Sequence, residues 1–468
     1  MTKYHISLIM FLCFFFLSSM LFSQEIVDEN KDNSKTELKI DLPFFDFPYQ
    51  ADTMNARGCG FFNTYSSLSM NQSMALTMDL YSAMHYGMKK LNDSLDIPTP
   101  WKKTIYYGGT AVGILAFAYV LPFGYPWMQQ EYTRTILSLN KINSFNGCYN
   151  FPAQAVTGIT DDDLSHFKAN APYDFIRMNI VNLESYILFS DLMTRKYFFY
   201  NLDDFSFIPA FITVFLNLGH SSAAIVQESG LMNIDNNIKA WYKNDKGQKE
   251  RAIYGFNVIN WVYELFRPNE PYANRGLHQS GDGSVARYIT YSQLTDEEQT
   301  YLVRQGYLSM LNLVSPLLYG FKSIPLGSSG LEGNFALRHY FTSFGTDISI
   351  NVFLKTNSFN MVYIFHNYLN YENWFPAIEA GLVDYPFTIG KVEMFLSPRV
   401  LIGMQPKGQV FKTSSPEFLG LFGLRVDFKA HKNIFPYLDF TAKTNGWVAG
   451  NEYLGANASI TLGVSLRF

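Results

Sequence analysis

Charge is scarce in this chain. Asp, Glu, Lys and Arg make up 16% of its 468 residues, and the formal net charge is only -4; an ordinary soluble domain carries about a quarter charged residues. A protein that grips nucleic acid needs a basic face to neutralise phosphates, and so few charges, spread along the chain, assemble none. Nucleic acid is therefore excluded as a partner. Cysteine is scarcer still, with three residues, so no cysteine cluster can hold a metal. Cys13 lies in an apolar leader. Cys59 and Cys148 form one disulfide or stay as two buried thiols, and sequence separation does not choose between them. The eight histidines make no metal site: His5 belongs to the leader, His339, His366 and His431 fall in the carboxy-terminal strands, and His85, His166, His220 and His278 are scattered singly, without a His or carboxylate partner at close metal-binding spacing. There is no phosphate-cradling glycine loop and no internal repeat. No cofactor and no metal is expected.

Aromatic residues reach 17%, and a surface this aromatic and this poorly charged suits lipid or a large partner better than bulk water. The amino terminus agrees with that setting. Met1-Thr2-Lys3 precedes an uncharged run from Ile6 to Phe22, with Ser18, Ser19 and Ser23 nearby, which reads as a secretory signal peptide over residues 1–23. Residues 24–50 read as a flexible leader, polar and acidic at first, whose aromatic second half docks on something.

The carboxyl terminus carries the clearest pattern. In NASITLGVSLRF, Ala458, Ile460, Leu462, Val464, Leu466 and Phe468 are apolar, while Asn457, Ser459, Thr461, Gly463, Ser465 and Arg467 are small or polar. Alternate residues of a strand face opposite ways, so this strand has an oily face and a wet face along its length. Similar stretches precede it at about 334–344, 346–356, 359–371, 376–387, 390–404, 418–429 and 434–444. Ile348, Ile350, Val352 and Leu354 oppose Ser349, Asn351 and Lys355; Phe418, Phe422, Leu424, Val426 and Phe428 oppose Gly423, Arg425, Asp427 and Lys429. Eight strands of roughly ten residues ending in a terminal aromatic resemble bacterial outer-membrane β-barrels. By that resemblance Ile460, Leu462, Val464, Leu466 and Phe468 belong to the barrel-closing strand and its terminal signal. Tyr363, Trp374, Phe375, Tyr385 and Trp447 fall near strand ends, where an interfacial girdle would place them. An eight-stranded barrel is filled by side chains, so it anchors or packs and offers no wide pore.

Residues 51–330 read as a helical domain. A Met-rich stripe from Met70 to Leu91 has helical spacing and reads as core filling. Residues 104–122 form a long apolar helix with Gly109 and Gly113 in a GxxxG spacing, expected to be buried in its own domain or against the barrel. Thr160 caps a helix beginning in TDDD, whose carboxylates lack the spacing of a calcium loop. One helix is expected from Tyr173 to Arg195, two more at about 206–226 and 253–266, and another starting at the Thr295–Glu298 capping box and running toward Tyr319. Residues 267–284 read as loop.

Within PWMQQEYTR, residues 126–134, positions 129, 130 and 133 occupy the places of His, Glu and His in an HExxH zinc helix. Glu184, in a later apolar helix, stands where the Glu-ligand zincins bring their third ligand. Residues 126–186 thus resemble a degenerate member of that group. The ligands are lost: Gln129 and Thr133 are poor zinc ligands, and the Gln130 amide cannot serve as a general base. The plainer alternative is a helix with ordinary polar positions, on which Glu131 and Arg134 pair locally.

The expectation is thus an α+β protein, a mostly helical amino-terminal domain followed by a carboxy-terminal eight-stranded antiparallel transmembrane β-barrel over 331–468. It lies in a Gram-negative outer membrane with the helical domain in the periplasm. The FSQ end of the leader and the aromatic composition look similar to Bacteroidota envelope proteins. Function is expected to be that of a non-catalytic accessory or scaffold subunit of an envelope complex, such as a barrel-assembly or export machine, with lipid and protein partners. The alternative is an outer-membrane-anchored hydrolase, a zinc peptidase or a lipid-modifying enzyme, that gathers His220, His278 and Glu184 in one pocket.

Overall fold

The structure, a computed structural model, describes residues 36–49, 68–119, 123–147, 155–200, 202, 206–242, 247–278, 280–327, 330–356 and 358–468. The signal peptide, the first part of the leader, His5, Cys13, Cys59 and Cys148 lie outside the described residues. The chain is α+β, with eleven α-helices and one large antiparallel sheet among the described residues.

Local chemistry sets most helix starts. Ser69 begins α1 (Met70–Ser94) with a capping box to Gln72, Thr160 does the same for α4 (Asp161–Asn170) with Asp163, and Thr295 for α11 (Asp296–Ser309) with Glu298. Between these lie α2 (Thr99–Tyr119) and α3 (Tyr125–Leu139), the latter with Pro126 in its first turn, where a missing N–H costs nothing. The helix expected over 173–195 is instead two, α5 (Pro172–Met178) and α6 (Val181–Phe199). Tertiary contacts break it: the Asn179 carbonyl accepts from Asn257 N at 2.7 Å, and Asn182 N donates to the Gly255 carbonyl at 2.7 Å, drawing both groups out of the helical ladder. The remaining helices are α7 (Ile208–Ser221), α8 (Ala223–Glu228), α9 (Ile234–Tyr242) and α10 (Val258–Phe266).

All eight expected strand segments form strands, joined by two more pieces. The sheet comprises β1 (Lys39–Phe47), β2 (Ile324–Pro325), β3 (Glu332–Thr342), β4 (Gly345–Lys355), β5 (Asn360–Leu369), β6 (Trp374–Val383), β7 (Tyr385–Ile389), β8 (Val392–Pro406), β9 (Pro416–Phe428), β10 (Ile434–Lys443) and β11 (Asn457–Arg467). The segment read as 376–387 is split at Asp384, whose φ of 50° turns the backbone so that β6 and β7 pair with β8 in registers one residue apart. The spatial order is β1-β11-β10-β9-β8-β6-β5-β4-β3-β2, with β7 on β8. The last strand therefore lies between β10 and β1, and β1 comes from the second half of the segment read as a flexible leader. Among the described residues β1 and β2 are not paired with each other.

The sheet nevertheless coils. Lys39 on β1 and Asp384 after β6 are separated in the sheet by β11, β10, β9 and β8, yet their charged groups are 3.4 Å apart. On a flat sheet five strand spacings would hold them about 24 Å apart. Helix α6 runs in the resulting concave face: Asp191 accepts from Asn351 on β4 at 2.8 Å, and Tyr200, just past the helix, donates to Asp384 at 2.6 Å.

Both sheet edges are satisfied by side chains or loops instead of strands. Leu38 and Phe468 exchange two backbone hydrogen bonds, so on β1 the alternate residues Lys39, Asp41 and Pro43 turn their backbone groups to the free edge. There Lys196 of α6 donates to the Lys39 carbonyl (3.4 Å), Asp79 of α1 accepts from Asp41 N (2.8 Å), and Gln72 donates to the Pro43 carbonyl (3.3 Å). Proline supplies no N–H to satisfy. At the other edge Leu337 N donates to the Val314 carbonyl (2.8 Å), while the Asn312 amide both accepts from His339 N (2.8 Å) and donates to the His339 carbonyl (3.1 Å).

The helices and the sheet share a core. Trp447 and Phe411 from the β10–β11 and β8–β9 loops belong to the same buried cluster as Trp261 of α10 and Tyr301 of α11. At its outer side, α2 packs on α1 through Gly109 and Gly113, where a Cβ would overlap the thioethers of Met88 and Met84. The GxxxG spacing is thus used for close helix approach, but Trp101, Ile105 and Val112 of α2 remain exposed, unlike the buried helix expected. Gly113→Leu overpacks this contact and is expected to cost about 1–3 kcal/mol. The denaturant midpoint of the purified protein measures it, and an unchanged midpoint contradicts the packing.

Candidate functional site: an apolar outer face over a charged interior

On the outward side of the sheet the exposed positions are apolar, while polar residues are buried on the other side. On β11 Thr461 and Ser465 are buried whereas Ile460 and Leu462 are 41% and 38% exposed; on β9 Asp427 is fully buried whereas Phe418 and Phe422 are 51% and 46% exposed. The same inversion continues over Val400, Ile402 and Met404 on β8, Ile378 on β6, Phe365 on β5, Ile350 on β4 and Phe335 on β3. Phe468 is exposed, and Val464 and Leu466 are half-buried on the same outward face. In a water-soluble sheet the apolar side packs inward, and continuous apolar surface of this extent marks an interaction face.

The inward side carries apolar residues such as Phe353, Val362, Ile364, Leu401, Leu419 and Leu421, and also charged ones that meet countercharges there. Asp384 accepts from Tyr200, pairs with Lys39 and binds Arg467 at 3.1 Å. Arg467 also reaches Asp427 at 3.4 Å, and Asp427 pairs with Arg425 at 2.9 Å. Arg425 continues to Asp41 at 2.6 Å. Asp79, which accepts from Asp41 N, is paired with Lys196 at 3.2 Å. One chain of alternating charges thereby ties β1, β9, β11 and the β6–β7 corner to α1 and α6. A second set joins Asp191 of α6 to Arg195 at 2.5 Å and Arg338 at 3.4 Å, and His366 lies 2.8 Å from Asp347, beside the Glu379–Arg399 pair at 2.9 Å. Burying these charges is tolerable only because each has an opposite partner within hydrogen-bonding reach.

The frame in PWMQQEYTR lies in α3 with Gln129, Gln130 and Thr133 all buried. Glu184, in the first turn of α6, is fully buried too, but it binds elsewhere. Arg177 of α5 donates to it through Nε (3.0 Å) and Nη2 (2.7 Å), and Trp447 Nε1 (3.2 Å) and Gly450 N (2.9 Å) complete its shell. Asn182 of α6 holds α3 instead: its amide donates to Thr133 Oγ1 at 2.8 Å and to the Gln129 carbonyl at 2.6 Å and accepts from Gly255 N. Gln129 Nε2 and Gln130 Oε1 have no hydrogen-bond partner among the described residues. Glu131 pairs with Arg134 and also accepts from Asn146 (2.7 Å) and Leu68 N (3.2 Å). Nor do the hydrolase candidates converge. His220 stacks on Phe256, His278 bonds Ser280, and Glu184 binds Arg177. No group of three His, Cys, Asp or Glu among the described residues is placed to hold a metal ion.

Sequence reasoning missed Arg177, and the signal for it was available: a carboxylate inside an apolar helix demands a countercharge, and Arg177 is a neighbouring cation in the same stretch. It also missed Lys39, Asp41 and Asp384, whose roles depend on the coil of the sheet. The fold and site together define an α+β protein with a coiled antiparallel sheet, apolar outside and charged within. Comparison with family models, with curated proteins and with solved structures finds no match for this chain.

Two outcomes follow from the Glu184 shell. Arg177→Met strands a buried carboxylate and is expected to cost about 3–5 kcal/mol, whereas Arg177→Met/Glu184→Gln recovers much of that loss; denaturant titration of both decides it, and equal losses contradict the pairing. Glu452, whose carbonyl accepts from Arg177 and whose Oε1 accepts from Met70 N at 2.9 Å, is raised by burial and by the negative charge of Asp46 from 4.5 to about 7. The folded state then holds a proton that the unfolded state releases, so this contribution is full below pH 4.5 and is lost as pH rises to about 7. Stability measured across that window should slope downward, and Glu452→Gln should flatten the slope; an unchanged slope contradicts the assignment.

Proposed function

We propose that the coiled sheet lies in a bacterial outer membrane, its apolar face against lipid, and that the protein serves as a non-catalytic accessory or scaffold subunit of an envelope complex such as a barrel-assembly or export machine. The observation that carries the reading is the continuous row of large apolar residues exposed on the outward side of the sheet, while charged and polar residues are buried on the inward side. A transmembrane β wall requires that alternation, and in hydrocarbon an unsatisfied sheet edge is prohibitive. The capped edges of β1 and β3 remove that obstacle to an open coil.

The signal-peptide reading and the terminal aromatic strand support an envelope location. The concave face is occupied by α6 and its ion pairs, which favours an anchoring role over a wide conduit. The helical part, joined to the sheet through a common core, would present its surface to other envelope proteins on the side to which that end of the sheet projects. Lipid and protein are the partners on this reading.

Ile402→Arg and Leu462→Arg test the wall. Each should cost about 2–4 kcal/mol near the bilayer midplane and lower the membrane-integrated, carbonate-resistant fraction. Lys239→Ala, at an exposed position of α9, should leave that fraction intact. Release of the wild-type protein by carbonate would overturn the membrane reading. Migration as a lone species on native gels after mild solubilisation would overturn the subunit reading.

A further inference from the structure

The coiled sheet leaves a seam between β1 and the β2–β3 edge, and a helical hairpin is seated along one side of it. Helix α1 follows the free edge of β1 where the next strand would lie: Gln72 meets the Pro43 carbonyl at 3.3 Å, Asp79 meets Asp41 N at 2.8 Å, and Lys90 meets Glu37 at 3.0 Å. Three contacts at successive heights fix α1 antiparallel to the segment from Glu37 to Pro43. Helix α2 then packs back on α1 through Gly109 and Gly113 against Met88 and Met84.

Beside its contact with α1, helix α2 carries an exposed apolar stripe. Trp101, Ile105 and Val112 fall at helical spacings along one stripe and are 64%, 41% and 67% exposed. The neighbouring β1 exposes Phe45 and Phe47, which stack on each other with ring centroids 6.2 Å apart, so the apolar surface of the sheet runs up to the hairpin. The 21 residues of α2 extend about 31 Å, close to the thickness of a bilayer's hydrocarbon core. No helix among the described residues is long and apolar enough to cross a membrane; a helix that gives lipid one side and protein the other need not be apolar all round. Lys102 and Lys103 follow Trp101 at the end of α2 nearest the hairpin turn, the pairing of aromatic and basic residues that suits a headgroup layer.

We propose that the α1–α2 hairpin is a helical panel of the membrane wall, with α1 sealing the edge of β1 and the Trp101, Ile105 and Val112 stripe of α2 in contact with lipid acyl chains. This rests on the reading of the sheet as lipid-facing, and the test separates the two. In a full-length Cys13→Ser/Cys59→Ser/Cys148→Ser background, a bimane fluorophore is attached at Val112→Cys, at Ile402→Cys on β8, or at Lys239→Cys at an exposed position of α9, and each protein is reconstituted in phosphatidylcholine vesicles with or without brominated acyl chains. The panel predicts a bromolipid-dependent loss of fluorescence at Val112 comparable with that at Ile402, and none at Lys239. Loss at Ile402 without loss at Val112 overturns the panel and leaves the sheet reading standing, which is also the outcome if a second copy or residues 50–67 cover the stripe. No loss at Ile402 overturns the sheet reading and the panel with it.

Discussion

A sheet that coils without closing leaves two rows of backbone amides and carbonyls facing nothing, and in this protein the rest of the structure is organised around satisfying them. Lys196, Asp79 and Gln72 stand in for a strand beside β1, and Asn312 with the Val314 carbonyl does so beside β3. An asparagine amide can replace a strand at one residue because it carries one donor and one acceptor in the geometry of a peptide group. Such caps also deny a second chain the template that an open edge would offer.

These caps place α1 and α6, and α6 in turn organises the interior. A concave face lined by Arg425, Arg467, Asp427 and Asp384 cannot be left dry and unpaired, and it cannot be filled by apolar side chains without stranding those charges. Those charges neutralise one another together with Lys39 and Asp41, and helix α6 adds to them Tyr200 on Asp384, Lys196 on Asp79 and Asp191 on Arg338, while Phe198 and Phe199 pack against Phe353 where the strands supply apolar partners. Polar interior and apolar exterior are therefore two consequences of one choice of strand register, since a shift of one residue would exchange the faces.

The Gln129 frame shows how a spacing can be kept by packing alone. The α3–α6 contact sets Thr133 and the Gln129 carbonyl against Asn182, and Glu184, two residues on, is committed to Arg177 and the β10–β11 loop. Two neighbouring positions on α6 thus divide the work: one joins α3, the other ties the helices to the sheet through Trp447 and Gly450. A carboxylate held by a guanidinium and two N–H donors has its charge neutralised and its lone pairs engaged, which is a structural role.

Sequence by itself determined the eight strand segments after residue 330 and the helix starts at Thr160 and Thr295. Alternation along 334–468 and the capping boxes at Thr160 and Thr295 are local patterns, dictated by side-chain direction in a strand and by unpaired amides in a first helical turn. What the pattern could not carry is partnership. Nothing within residues 39–47 says that they will pair with β11, which lies at the other end of the chain, nor that Asp384 will turn inward to meet Lys39, nor that Asn257 will draw the Asn179 carbonyl out of its helix and split it in two. Those contacts join segments tens to hundreds of residues apart, and their free energy depends on the coil of the sheet bringing the groups together. Periodicity fixes which face of an element is oily; only the tertiary structure decided that in this sheet the oily face looks outward.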